Sequence, residues 1–111
     1  MEKRQEEKLK ELQILEQNLQ NIIIQKQTYL LEMTDINNAL EELSKQKDDV
    51  YKIVGSLMVK TKKEEVEKEL RQKKEITEIR IKNLDKQEQI FNEKSLKMRE
   101  ELMDEFRSMK K

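Results

Sequence analysis

From Leu12 onward, apolar side chains recur at alternating steps of three and four: Leu12, Leu15, Leu19, Ile22, Lys26, Tyr29, Met33, Ile36, Leu40 and Leu43. Every position but Lys26 is apolar or aromatic, which is the a/d seam of a coiled coil. The pattern predicts a helix from about residue 3 to residue 47, on the order of 65 Å long at the usual helical rise. Lys26 has two readings. Its ammonium either snorkels outward along its aliphatic stem or fixes the register of the pairing, as polar seam residues do.

The period changes at Val50, where β-branched and aromatic residues gather around Gly55-Ser56. Glycine at the first central position of a two-residue turn is what a type II′ hairpin requires, because that position has positive φ. A hairpin over about 50–61 sets Val54 opposite Leu57, Ile53 opposite Met58, Lys52 opposite Val59 and Tyr51 opposite Lys60. Both faces then carry large apolar groups: Tyr51, Ile53, Val54, Leu57, Met58 and Val59. Two strands alone cannot bury these groups. They form either the packed core of an assembly or an exposed ligand face, and the core reading predicts an oligomer whose hairpins share a sheet or barrel.

Thr61-Lys62-Lys63-Glu64 fits a capping box, so a second helix is expected over about 62–110. Its apolar residues, Val66, Leu70, Ile76, Ile79, Ile81, Leu84, Ile90, Phe91, Met98, Leu102, Phe106 and Met109, form a broader stripe that does not define a register. Two helices of similar length joined by a chain-reversing hairpin fold back as an antiparallel pair. Residues whose numbers sum to about 110 would lie side by side, Leu12 near Met98, with the hairpin at the base and the termini at the tip.

Composition narrows the function. The 111 residues hold no proline, no cysteine, no histidine and one glycine, with 43% charged residues. Such charge means disorder unless the apolar residues are periodic, and here they are. Lys and Arg number 24 and Asp and Glu number 24, interleaved along the chain, which is no footprint for nucleic acid or an anionic membrane. The longest aliphatic run, Ile22-Ile23-Ile24, is far short of a membrane span. The charged start, Met1-Glu2-Lys3-Arg4-Gln5, leads into no signal-peptide core. A cytoplasmic protein without disulfides is therefore expected. No histidine or cysteine can serve as base, nucleophile or soft metal ligand, and no glycine-rich loop can cradle phosphate. No catalytic, cofactor-binding or metal-binding residue is expected, and carboxylate pairs such as Glu41-Glu42 and Glu100-Glu101 read as solvated helix faces.

The distal end is richer in apolar residues than a solvated helix end needs. Leu9 and Ile14 fall outside the seam of the first helix, while Leu102, Met103, Phe106 and Met109 crowd the end of the second. Methionine adapts to partners of undefined shape, and Met98, Met103 and Met109 all lie in the last fourteen residues. Leu9, Leu12, Leu102, Met103, Phe106 and Met109 therefore either grip apolar partners or complete the intramolecular seam.

From Gln25 to about Phe106 the chain resembles the beta class of the prefoldin family, particularly its archaeal members. The resemblance lies in Gln25-Lys26-Gln27, Ala39-Leu40-Glu41-Glu42-Leu43, Val50-Tyr51-Lys52 before Val54-Gly55, Leu57-Met58-Val59-Lys60 and Lys86-Gln87-Glu88, of which the hairpin words are the specific ones. It implies a mainly α fold, a long antiparallel two-helix coiled coil whose single β-hairpin assembles into an oligomeric β-barrel. It implies a hexamer of two alpha-class and four beta-class subunits, with residues 1–111 as one domain. It also implies an ATP-independent chaperone that captures unfolded polypeptides at the coiled-coil tips and passes them to a group II chaperonin. The six apolar tip residues named above would then face the client. The charged opening, Glu2 to Lys8, departs from the proline-containing, glutamine-rich start of many archaeal members, which bears on client range. The competing reading is a structural coiled-coil adaptor, which predicts one tight partner in place of many weak clients. A nucleic-acid binder fits less well, since fifteen basic residues from Lys62 onward meet thirteen acidic ones and no aromatic platform accompanies them.

Overall fold

The structure, a computed structural model, describes residues 2–109. Four elements follow one another: α1 (Lys3–Ser44), β1 (Val50–Val54), β2 (Leu57–Thr61) and α2 (Lys63–Met109). The chain divides into two units: a terminal unit from Met1–Gln27 and Lys82–Lys111, and a hairpin unit from Thr28–Ile81. Each helix contributes to both.

Each element begins and ends for a local reason. Glu2 caps α1: its amide is taken by the Gln5 side chain at 3.2 Å, while its carbonyl receives the Gln5 and Glu6 amides, the reciprocal half of a capping box. α1 stops at Ser44, three residues short of the expected 47. The Ser44 hydroxyl donates to the Glu41 carbonyl at 2.6 Å, and Lys45 and Gln46 close i→i−3 bonds that tighten the last turn, using up carbonyls a helix end leaves free. The capping box expected at Thr61 is corrected. Thr61 belongs to β2, and its hydroxyl donates to the Glu65 carboxylate at 3.3 Å instead of accepting an amide. The carbonyl of Lys62 takes the first helical bonds, from Glu65 and Val66, so α2 starts at Lys63. The expected end of α2 near 110 lies outside the described residues.

In the hairpin unit, β1 and β2 pair antiparallel in the expected register, Val54 with Leu57 through Val50 with Thr61. Gly55 has φ 61°, and among the described residues no other has positive φ. Positive φ at the first central position alone identifies type II′. All the apolar strand side chains from Tyr51 to Val59 are exposed. Lys52 reaches from β1 to Glu69 of α2 at 2.7 Å, and Lys63 donates to the Gln46 carbonyl at 2.8 Å. Along the helices of this unit Tyr29 stacks under Arg80, 5.6 Å from the ring centroid, and Glu32 meets Lys73. Ile36 and Leu43 are its buried aliphatic residues, and Thr77 is its most buried side chain, 1% exposed.

All ten positions of the seam read for α1 are buried or half-buried. The seam of α2 also steps by three and four, but along Leu70, Lys74, Thr77, Ile81, Leu84, Glu88, Phe91, Ser95, Met98, Leu102 and Glu105. Ile76, Ile79 and Ile90, which belong to the expected stripe, face water. Thr77 and Ser95, at 1% and 4% exposure, are the small polar side chains that this seam buries.

The terminal unit is antiparallel as well. Lys8 pairs with Glu105, Glu16 with Arg99, and Gln5 donates to the Met109 thioether at 3.0 Å. The numbers of these partners sum to 113–115 instead of about 110. Met98 accordingly shares a surface depression with Glu11 and Leu15, while Leu12 lies with Arg99 and Leu102; the expected pairing of Leu12 with Met98 is off by about a turn. Lys26 does not snorkel into water. Its ammonium lies 2.6 Å from Asp85 Oδ1 and 3.1 Å from Glu88 Oε2, the register-fixing alternative. These two carboxylates, Asp85 first and Glu88 second, hold its pKa above the usual 10.5 against partial desolvation.

Candidate functional site

The residues singled out near the chain ends come together in the terminal unit as an open groove of about 700 Å³. α1 supplies one wall, with Leu9 and Leu12. α2 supplies the other, with Leu96, Leu102, Met103 and Phe106, and the charged residues Arg99, Glu100, Asp104 and Arg107 stand along it. Helical periodicity explains the arrangement. Leu102 is a seam position, Phe106 lies one turn further along the same flank, and Met103 and Leu96, seven residues apart, form the next row outward.

The six expected contact residues play unequal parts. Leu12 and Leu102 are buried and form the floor, where they also complete the seam. Leu9 and Phe106 are half-buried along the walls. Met103 is 55% exposed and is the most available apolar group in the groove. Met109 does not line it; its sulfur takes the Gln5 amide instead. Ile14, also expected at this end, is exposed but outside the groove. Leu96 escaped the sequence reading. Its signal was the seven-residue spacing to Met103 on the flank of α2, which is legible only once the seam of α2 is known.

The rim is electrostatically ordered. Arg99 is held by Glu16 across the unit, and Arg107 faces Asp104 at 3.9 Å. Lys8 bonds the Glu105 carboxylate and, with Arg4 nearby, keeps its pKa below the usual 4.5 despite partial burial. Glu100 forms no ion pair among the described residues. Among those residues no group of three or more His, Cys, Asp or Glu is arranged to hold a metal ion, and no helix is long and apolar enough to cross a membrane. What the groove offers chemically is apolar surface with a charged margin, suited to binding side chains.

The second candidate surface is the hairpin. Tyr51, Ile53, Val54, Leu57, Met58 and Val59 are all exposed on a two-stranded ribbon, and both of its outer edges lack a third strand among the described residues.

Comparison with known proteins agrees with this architecture. The family described as "Prefoldin subunit" matches residues 6–109. The prefoldin subunit beta of Archaeoglobus fulgidus is 45% identical over 96 residues, covering 85% of this chain and 83% of that one. The prefoldin subunit beta of Pyrococcus furiosus is 44% identical over 88 residues, covering 78% and 75%. The crystal structure of the prefoldin beta subunit from Thermococcus strain KS-1 superposes with a TM-score of 0.86 at 34% identity, covering 93% of this chain and 92% of that one.

Proposed function

The chain belongs to the prefoldin family of chaperones, as a beta-class subunit, and from that premise we propose that it serves in an ATP-independent holdase. Residues 1–111 act as one domain. The hairpin joins those of alpha-class and further beta-class subunits into a β-barrel platform, in a cytoplasmic hexamer of two alpha and four beta chains. The terminal groove holds apolar segments of unfolded polypeptides, which are then handed to a group II chaperonin. No catalytic step, cofactor or nucleic acid enters this account.

Two features of the chain support the reading. Six exposed apolar side chains on an unpartnered ribbon represent an area that water opposes and that a shared sheet would cover. The observation that carries client capture is the groove itself. An apolar trough with a half-exposed methionine on its wall suits weak, adaptable contact with many sequences better than the shape-specific fit of an adaptor.

The test is light scattering from a chemically unfolded client diluted into buffer without nucleotide, in the presence of this chain and an alpha-class partner. Leu96 and Met103 are both exposed, so Leu96→Glu with Met103→Glu leaves the seam intact. The parent mixture is expected to suppress scattering and the double variant to lose most of that suppression, with the oligomer size unchanged. Full suppression by the variant would move capture away from the groove. No suppression by the parent would favour the adaptor.

A further inference from the structure

We propose that the terminal groove takes client segments as amphipathic helices with a leucine- or methionine-rich face and a basic flank. The inference rests on the client-capture reading above and adds the conformation and charge of what is captured.

The walls carry the argument. Both are α-helices, whose backbone amides and carbonyls are spent on their own hydrogen bonds. The groove therefore presents an incoming chain with side chains and no strand edge. An extended segment lying on Leu9, Leu96 and Met103 would turn part of its own backbone toward apolar groups that cannot hydrogen-bond it, whereas a helix arrives with its backbone satisfied.

Spacing points the same way. From Leu96 to Phe106 the α2 wall runs ten residues, about 15 Å. Over that length an extended strand places about five residues, of which two or three face the groove. A helix places about ten, with anchors at i, i+3, i+4 and i+7 on one face. Two antiparallel helices with an apolar furrow between them are the surface onto which a third helix packs ridge into groove.

Charge selects the flank. The rim arginines are engaged, Arg99 by Glu16 and Arg107 by Asp104. Of the charged residues that line the groove, Glu100 on α2 alone forms no ion pair among the described residues, and it is exposed. The unpaired charge at the margin is therefore negative, and lysine or arginine beside the apolar face of the occupant complements it.

The experiment uses the full chain assembled with an alpha-class partner and fluorescent peptides of identical leucine, methionine and lysine content. One peptide has apolar residues at helical spacing and one has them in strict alternation; a third has the helical pattern with a central proline. Anisotropy is expected to show the helical peptide binding at least tenfold tighter than the other two and gaining helical circular dichroism on binding, with Met103→Glu removing the difference. Equal or tighter binding by the alternating peptide, binding without gain of helix, or no peptide binding would each overturn the proposal. If an unfolded client is still held while no helical preference appears, only the conformation is refuted; if client holding also fails, the capture reading goes with it.

Discussion

Lys26 on α1 and Glu88 on α2 meet across the seam of the terminal unit, Nζ 3.1 Å from Oε2, and both occupy positions that a coiled coil ordinarily fills with leucine. Lys8 and Glu105, and Gln5 and Met109, pair across the helices in the same register. Sliding the helices by one heptad would set Lys26 against Ile81 or Ser95 and Lys8 against Met98, leaving charges without partners. Aliphatic seams are nearly degenerate under such a slide; these polar pairs remove the degeneracy.

Lys26→Met leaves Glu88 on the seam without its cation, so its melting temperature at neutral pH should fall, and Lys26→Met with Glu88→Leu should recover much of the loss. The pH dependence has a definite sign. The pKa of Lys26 is raised above 10.5 in the folded state, so its contribution is whole below 10.5 and is lost as pH rises through the folded value. Thermal melts above pH 10.5 should fall more steeply for the parent than for the double variant; equal slopes would contradict the pairing.

Glu105 provides the acid counterpart. Its pKa is held below 4.5, first by the Lys8 hydrogen bond. Its contribution is therefore present above 4.5 and lost as pH falls through the lower folded value. Glu105→Gln should flatten the acid limb of a plot of melting temperature against pH below about 4.5, while leaving the alkaline limb unchanged.

The seams of α1 and α2 are open to a packing test. Ile36, 3% exposed, should cost about 2–5 kcal/mol when changed to alanine. Ile79, 59% exposed, should cost less than about 1 kcal/mol. Thr77→Leu should destabilise by about 1–3 kcal/mol, because a side chain already 1% exposed is being enlarged. Urea unfolding of the three variants decides this, and a costly Ile79→Ala would place the seam on the wrong flank.

At the hairpin, nothing lies within 4 Å of where a Gly55 Cβ would stand, yet its φ is +61°. The penalty for Gly55→Ala is thus conformational, about 1–2 kcal/mol, and Gly55→Asn should cost less because asparagine tolerates that region. Sedimentation at decreasing concentration should show the alanine variant's oligomer dissociating first.

The first helix and the hairpin were legible because their signals are redundant. Ten seam positions of α1 repeat one period, and Gly55 with alternating strand residues defines turn and register together. The second helix was legible as a helix but not in phase. Lys74, Thr77, Glu88, Ser95 and Glu105 occupy its seam while Ile76, Ile79 and Ile90 lie outside it, so hydrophobicity alone points to the wrong flank. The same ambiguity hid Leu96. Lys26 could be resolved only when Asp85 and Glu88, roughly sixty residues away in sequence, were placed beside it.

Client capture in the terminal groove is tested most directly by photo-crosslinking. A benzophenone amino acid would replace Met103 in one variant and Ile79 in another, both exposed, with an unfolded client added to the assembled chain. The account predicts strong client adducts from position 103 and few from position 79. Equal yields at the two positions, or adducts at 79 alone, would contradict it.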